Sequence, residues 1–384
     1  MEYRFLEPID VLYLRGNRLF GEAGAHGEAL MPPWPSLAAG SLRSRMLVDG
    51  GCDPAEFGRC RIEPAEPLKS ALGTPQAPGS FRVSLFTLGR RNRGLVEPCL
   101  PPPADLVIRK NESGLTATFL RPCPPKHVMS CGCPLPQFPV LRTDAPFKPE
   151  TGYWLSADGL CRYLEGSLVS REDLLRRGEL WELDTRLGIA LAPATGTAES
   201  GRIYTAETIA LAADVGFLVG VAGADGLVPQ NGTLRFGGDG RGVQVSVCSP
   251  ALPAPPWDRI AREKRFRLVL TSPAFFTQGW LPPACREVNG QWVWEYHGLR
   301  ANLVAAAVQR HEVVSGWDLA LQRPKEALRA VPPGSVYWFE GLQGGVDPLR
   351  DIMETGLWDA EESFGAQRRA EGFNSVLVAA WPGD

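Results

Sequence analysis

The sequence contains no apolar run approaching the ~20 residues that a membrane-spanning helix needs. It does not begin with a positively charged leader, since Met1 is followed by Glu2. It also lacks a strong overall charge, because 40 Lys and Arg residues face 43 Asp and Glu residues, for a formal net charge of −3. These absences predict a cytoplasmic protein with no membrane partner. Any contact with nucleic acid must then come from local basic patches.

Familiar catalytic motifs are absent as well. There is no Gly-x-Ser-x-Gly elbow, no Walker phosphate loop and no His-Glu-x-x-His helix. Only four histidines are available for acid–base chemistry. One of them, His26, lies in a glycine-rich loop near Arg18 and could act as a base on a ribose 2′-hydroxyl, although a loop histidine more often faces solvent.

The nine cysteines, an odd number, argue against a secreted disulfide scaffold in a chain of 384 residues. One cluster carries metal-like chemistry and contains Cys123, His127, Cys131 and Cys133. Its Cys-x3-His and Cys-x-Cys spacings could supply four ligands to tetrahedral zinc. The surrounding prolines favour the alternative of a loop that merely contains thiols. The sequence therefore predicts no cofactor and leaves zinc as a weak alternative.

Turn-forming residues are abundant, with 42 glycines and 35 prolines, which predicts short elements and long loops. Strands are predicted at residues 81–88, 215–221 and 372–381. Helices are predicted from Ser36 onwards, over Ser170–Arg177 and over Asp347–Trp358. The proline-dense segment Ser249–Pro256 is typical of a linker. It divides the chain into residues 1–255, with insertions at about 50–185, and residues 256–384.

Basic residues recur beside aromatic ones in three patches. They contain Arg82, Arg90, Arg91 and Arg93 with Phe81 and Phe86; the run Arg259–Arg267; and Arg310, Trp317, Arg323 and Lys325. Arginines that follow phosphates and rings that stack on bases are what binding of single-stranded RNA requires. Each patch alone is more often a solvated face, but three together favour binding.

A glycine-rich segment, Gly237–Gly242, lies between two predicted strands and contains Arg241. Backbone N–H groups without a neighbouring Cβ can approach an anion closely. The alternative is a β-hairpin turn, which glycines also favour. The spacing alone does not decide between the two.

Several ordered segments of the chain match one known family. They are DVLYLR (10–15), GNRLF (16–20), PPWPSLAAGSLRS (32–44), PPPAD (101–105), RLGI (186–189), GRIYTAE (201–207), GGDGR (237–241), SGWD (315–318) and AVPPGSVY (330–337). In these segments the chain resembles the RAMP-superfamily subunit of type III-B CRISPR (Cmr) effector complexes that caps the 5′ end of the guide RNA. One departure is Asn374, where family members have the second glycine of a Gly-aromatic-Gly turn.

The resemblance implies an α+β fold of two tandem ferredoxin-like (RRM-like) βαββαβ domains with long loop insertions. It implies no catalytic activity. The expected partners are the repeat-derived 5′ tag of the guide RNA (crRNA), the large polymerase-like subunit and the first backbone RAMP subunit, with the small Cmr subunit as a further candidate.

Within that family framework, the predicted RNA-binding residues form two groups. Phosphate contacts are expected from Arg15, Arg18, Arg43 and Arg241, with Gly237, Gly238 and Gly240 allowing close backbone approach. Trp317, Arg323 and Lys325 are expected to face the tag or a partner subunit.

Two other interpretations remain open. One is a metal-independent endoribonuclease of the same superfamily, which matures guide RNA from repeats and would use His26. The other is a small-molecule-binding α+β protein whose basic loops are incidental.

Overall fold

The computed structural model describes residues 1–16, 26–111, 114–125, 132–143, 145–192, 194–359 and 365–383, with the backbone alone for residues 26, 27, 111 and 200–203. The helices are α1 (Pro35–Asp49), α2 (Pro54–Gly58), α3 (Leu68–Leu72), α4 (Ala157–Glu165), α5 (Trp257–Glu263), α6 (Asp347–Thr355) and α7 (Gly365–Ala370). No helix of these residues is long and apolar enough to cross a membrane.

Strands are more numerous than helices. They are β1 (Glu2–Pro8), β2 (His26–Gly27), β3 (Arg82–Asn92), β4 (Leu95–Cys99), β5 (Leu106–Asn111), β6 (Gly114–Phe119), β7 (Arg121–Cys123), β8 (Phe138–Val140), β9 (Tyr153–Leu155), β10 (Leu174–Arg176), β11 (Trp181–Leu191), β12 (Ala198–Leu211), β13 (Val215–Ala222), β14 (Asn231–Arg235), β15 (Gly242–Val247), β16 (Arg265–Leu270), β17 (Cys285–Val288), β18 (Gln291–Tyr296), β19 (Leu299–Ala307), β20 (Glu312–Val314), β21 (Trp317–Asp318), β22 (Arg323–Pro324), β23 (Leu328–Ala330), β24 (Val336–Gln343) and β25 (Val376–Ala379).

Two compact units make up the chain. The first contains Met1–Val96, Arg177–Ser249 and Val313–Leu328, and the second contains Glu97–Arg176, Pro250–Glu312 and Arg329–Asp384. The linker predicted at Ser249–Pro256 begins where the chain passes from the first unit to the second. The segment Glu97–Arg176, however, which the sequence analysis placed in the first domain, belongs to the second unit.

The first unit is built on a six-stranded sheet of order β14-β15-β1-β13-β3-β4. β1 pairs antiparallel with β13 on one side and with β15 on the other. The order β15-β1-β13-β3 is the one that a βαββαβ unit produces, and α1 follows β1 as that plan requires. Between β13 and β15 the chain forms β14 instead of a helix. The predicted ferredoxin-like plan is therefore incomplete in this unit.

Helix α1 has a simple origin in the sequence. It begins at Pro35, whose fixed φ and missing N–H suit the first helical position. Ala38, Leu42 and Met46 recur at intervals of four residues and are buried, as an amphipathic helix requires. The helix predicted from Ser36 onwards is thus confirmed.

The second unit contains a six-stranded sheet of order β17-β18-β19-β24-β16-β25. Its central strand β24 is buried on both faces. Tyr337 and Phe339 point into one apolar cluster, and Val336 and Trp338 point into another. Because successive side chains of a strand alternate between faces, an unbroken apolar run predicts a sheet covered on both sides.

The segment Glu97–Arg176 covers one of these faces, and a buried ion pair anchors it. Arg267 of β16 is fully buried and pairs with Asp105. Its other guanidinium N–H groups donate to the carbonyls of Ala380 at 2.8 Å and Tyr163 at 2.9 Å. The Tyr163 hydroxyl donates to Asp105 at 2.7 Å. This network explains why the segment belongs to the second unit.

Two local features test predictions of detail. The helix predicted over Ser170–Arg177 is wrong, because Asp173 accepts hydrogen bonds from the N–H and hydroxyl of Ser170 at 2.6 and 2.9 Å and closes a turn before β10. Asn374 adopts a left-handed φ of 59° and is fully buried. Its amide accepts from the N–H of Phe275 at 2.8 Å and donates to the Leu357 carbonyl at 2.8 Å, so this departure from the family keeps a left-handed turn.

Candidate nucleic-acid interface

Two arginines flank an aromatic ring just beyond the end of β1. The guanidinium carbon of Arg15 lies 5.6 Å from the centre of the Tyr13 ring, and that of Arg241 lies 5.3 Å away. Arg241 also donates from Nη1 to Oδ2 of Asp10 at 2.6 Å. A cation held over a ring in this way gains about 0.5–1 kcal/mol at an exposed site. We refer to Asp10, Tyr13, Arg15 and Arg241 as the Tyr13 cluster.

Backbone pairing positions this cluster. The N–H and C=O of Leu12 both bond to Ile209 of β12, each at 2.9 Å. Leu12 and Leu14 are buried, whereas Tyr13 is partly exposed and Arg15 is exposed. Because side chains alternate in an extended segment, anchoring the two leucines directs Tyr13 and Arg15 to the opposite, open side.

The glycine-rich segment forms the hairpin turn between β14 and β15, with Arg235 opposite Gly242. Gly237 has a φ of 82°, and a Cβ there would lie 2.6 Å from the Tyr13 carbonyl oxygen. The N–H of Gly238 donates to that same oxygen at 2.8 Å. Gly240 also has a positive φ, of 65°. The glycines thus serve the turn and its contact with Tyr13, and the Gly238 N–H is not available to an anion.

The electrostatics of the cluster are mixed. The backbone N–H of Val11 lowers the pKa of Asp10, and the positive charges of Arg241 and Arg186 lower it further. The side chain of Arg241 is 24% exposed. Within the part of the chain that the structure describes, its Nε has no hydrogen-bond partner. Arg241 is therefore held in place by Asp10 and Tyr13, with its Nε buried and the rest of its side chain partly exposed.

The phosphate contacts predicted for Arg15, Arg18, Arg43 and Arg241 all stay predictions. Arg43 is partly buried on α1. Its neighbour Arg45 is used inside the unit, because it donates to Asp49 at 2.6 Å and to the Thr233 carbonyl at 2.8 Å. Arg18 lies outside the described residues. Sequence reasoning placed Asp10 and Tyr13 only within a family motif, and their roles become visible once the distant hairpin of Arg241 is in place.

A second candidate surface is the short β21–β22 hairpin, which contains Trp317, Arg323 and Lys325. Asp318 accepts from two backbone N–H groups of the turn, at 3.0 and 2.9 Å, and the N–H of Lys325 donates to the Gly316 carbonyl at 2.9 Å. The tip is exposed and apolar, since Trp317, Leu319 and Leu321 are 46%, 76% and 45% exposed. The structure therefore presents these predicted residues on a single hairpin.

The candidate zinc ligands are only partly described. Cys133 is exposed, and the Sγ of Cys123 accepts a hydrogen bond from Nη2 of Arg142 at 3.9 Å. His127 and Cys131 lie outside the described residues. Among the described residues, no group of three or more His, Cys, Asp or Glu side chains could hold a metal ion. The backbone of His26, in β2, pairs with that of Thr205 in β12. The His26 side chain is not among those described.

The fold is similar to that of a chain in a solved type III-B Cmr-beta complex. One chain of a solved structure, "Cryo-EM structure of the Type III-B Cmr-beta bound to cognate target RNA and AMPPnP, state 1", superposes with a TM-score of 0.51 at 14% identity, covering 98% of this chain and 96% of that one. The same complex bound to cognate target RNA gives a TM-score of 0.49 at 14% identity, with the same coverage. No curated protein sequence matches the chain.

A family model identifies the chain more closely. The CRISPR-associated protein family Cas_Cmr3 matches residues 4–381. The chain therefore belongs to this family, and the resemblance to a Cmr complex subunit noted in the sequence is confirmed.

Proposed function

We propose that this chain is a non-catalytic RNA-binding subunit of a type III-B CRISPR ribonucleoprotein in antiviral defence. In this proposal it binds the repeat-derived 5′ tag of the guide RNA and links the large polymerase-like subunit to the backbone RAMP subunit. Family membership over residues 4–381 supports the assembly. The Tyr13 cluster is the observation that carries RNA binding.

The cluster combines the chemistry that single-stranded RNA needs. Guanidinium groups of Arg15 and Arg241 can contact phosphates, and the partly exposed ring of Tyr13 can stack on a base. A guanidinium has five N–H donors, so Arg241 can keep its bond to Asp10 and still bind a phosphate oxygen through another donor. The Arg241 side chain is 24% exposed, which leaves part of its guanidinium open to such a contact.

Exposed apolar side chains support contact with further macromolecules. Leu187, Ile189 and Leu191 lie along one face of β11 and are 72%, 49% and 57% exposed. The tip of the β21–β22 hairpin is similarly apolar. Contiguous apolar surface of this kind marks places that a partner covers, as expected of a subunit inside a larger complex.

The test is the affinity of the purified full chain for a labelled single-stranded RNA that carries the repeat-derived 5′ tag, measured over a range of salt concentrations. Arg241→Ala and Arg15→Ala are each expected to weaken binding. Each is also expected to reduce the slope of log affinity against log salt by about 0.7, the value for one lost phosphate contact on a single strand.

Arg286→Gln is the matched control. Arg286 is an exposed arginine of the second unit that pairs with Glu295, so its loss should change neither affinity nor slope. Binding by both cluster variants that equals the wild type at every salt concentration would contradict the proposed surface.

A further inference from the structure

The β3–β4 hairpin ends in a turn that holds an arginine in an unfavourable conformation. Arg93 has a φ of 48° and Gly94 a φ of 84°. Together they form a two-residue turn with both φ values positive, which is the type I′ geometry. Such turns prefer Asn-Gly, because the short polar side chain of asparagine bonds locally to the backbone and makes a positive φ less costly than it is for other residues with a Cβ. Arg93 therefore occupies a position that local backbone energetics disfavour.

This tip lies at the same end of the first sheet as the Gly237–Gly242 hairpin. Arg90 of β3 is opposite Val215, the first residue of β13. On the other side of β1, Pro8 is opposite Val243, and the N–H of Ile9 donates to the Gly242 carbonyl at 3.1 Å. Three strand spacings, about 14 Å, separate β3 from β15 at this end.

Arg91 anchors the tip, whereas its neighbours are available. Arg91 pairs with Glu7 at 2.8 Å and lies 4.9 Å from the centre of the Phe5 ring. Arg90 and Arg93 are exposed. Across the residues that the structure describes, neither of them makes an ion pair or a side-chain hydrogen bond.

Charges of both signs occur at this end of the sheet. Asp214 and Asp239 are exposed there, while Glu7 and Asp10 are already paired with Arg91 and Arg241. Arg90 and Arg93 therefore project from an end of the sheet where the remaining acids, Asp214 and Asp239, lie in neighbouring turns.

We propose that Arg90 and Arg93 form a second phosphate-binding point, which extends the path of the RNA from the Tyr13 cluster across the ends of β15, β1, β13 and β3. This inference rests on the proposed function. It accounts for the strained turn, since a long cationic side chain at Arg93 reaches beyond the strand ends at a position where asparagine would suit the backbone better.

Arg93→Asn separates binding from folding. The variant removes the charge but supplies the residue that the turn prefers, so its thermal unfolding midpoint should equal or exceed that of the wild type. Its affinity for the labelled single-stranded RNA should fall about threefold to fivefold, as for an exposed charge contact. Its salt slope should decrease by about 0.7. Arg90→Gln should behave in the same way in the binding assay, and Arg286→Gln should match the wild type.

The outcomes distinguish this inference from the proposed function. If Arg93→Asn and Arg90→Gln bind like the wild type while Arg241→Ala binds more weakly, the tip is excluded and the proposed function stands. Weaker binding with an unchanged salt slope would also overturn a phosphate contact at the tip. If the wild-type chain does not bind the RNA at all, both proposals fail.

Discussion

Replacing Asp105 by alanine tests how the second unit is held together. Asp105 and Arg267 are both fully buried and form an ion pair, and the Tyr163 hydroxyl also donates to Asp105. Burial raises the pKa of Tyr163 well above its usual value, so this hydroxyl remains a donor at neutral pH. The substitution leaves a buried guanidinium and a buried hydroxyl without their shared acceptor.

The expected cost follows from these contacts. Breaking a buried ion pair by removing one partner costs about 3–5 kcal/mol. The bonds from Arg267 to the Ala380 and Tyr163 carbonyls remain, which places the estimate near the middle of that range, at about 4 kcal/mol. Because whole domains are stable by about 5–15 kcal/mol, this loss is a large part of the stability of the unit.

Urea denaturation followed by tryptophan fluorescence measures this cost, since most of the eleven tryptophans lie in the second unit. Asp105→Asn is the intermediate control, because it keeps an oxygen acceptor but loses the charge. Replacing both Asp105 and Arg267 by leucine and methionine should be less destabilising than Asp105→Ala alone. An Asp105→Ala protein that unfolds within about 0.5 kcal/mol of the wild type would refute this account of the segment Glu97–Arg176.

Three further predictions concern charge and chemistry. Asp10→Asn should tighten RNA binding severalfold, because it removes a negative charge beside Arg241 while the amide oxygen can still accept the hydrogen bond that positions Arg241. Unchanged or weaker binding in the salt-dependent assay would count against the Tyr13 cluster. Burial raises the pKa of Glu312 to about 7, so the native state binds a proton that the unfolded chain releases, and stability is lost as the pH rises from about 4.5 to 7. Glu312→Gln should therefore be more stable than the wild type by about 1–3 kcal/mol at pH 8 and equal to it near pH 4.5, and a difference independent of pH would contradict this assignment. Incubation with CRISPR repeat RNA in EDTA should leave the RNA intact, whereas a specific cut with a 2′,3′-cyclic phosphate end that is lost in His26→Ala would establish the endoribonuclease instead.

The elements that the sequence predicted well are those whose evidence is local. The strand composition of β3, the glycine-rich apolar strand β13 and the helix predicted from Ser36 onwards depend on neighbouring residues, and the structure confirms them as β3, β13 and α1. Helix α6 was also predicted, although it ends at Thr355 and not at Trp358. At Ser170 a turn closed by the Asp173 side chain competes with the helix that the sequence favoured. The hydrophobic periodicity of so short a segment does not distinguish the turn from the helix.

Long-range placement could not be predicted in the same way. The segment Glu97–Arg176 packs in the second unit through a pair of residues, Asp105 and Arg267, that are 162 positions apart. Arg241 reaches Tyr13 only because β15 pairs with β1. The motif resemblance placed Arg15 and Arg241 on one surface. The position of Tyr13 between the two arginines becomes visible only when β15 is paired with β1.

The most direct test of the central claim is the RNA that accompanies the protein. The affinity-tagged full chain is purified from its native host under mild salt, and the bound RNA and proteins are identified by sequencing and mass spectrometry. We expect guide RNAs that share a repeat-derived 5′ end, together with the large and backbone subunits, and less of this RNA with Arg241→Ala. Recovery of the chain without RNA, or with RNAs that share no 5′ end, would contradict the account.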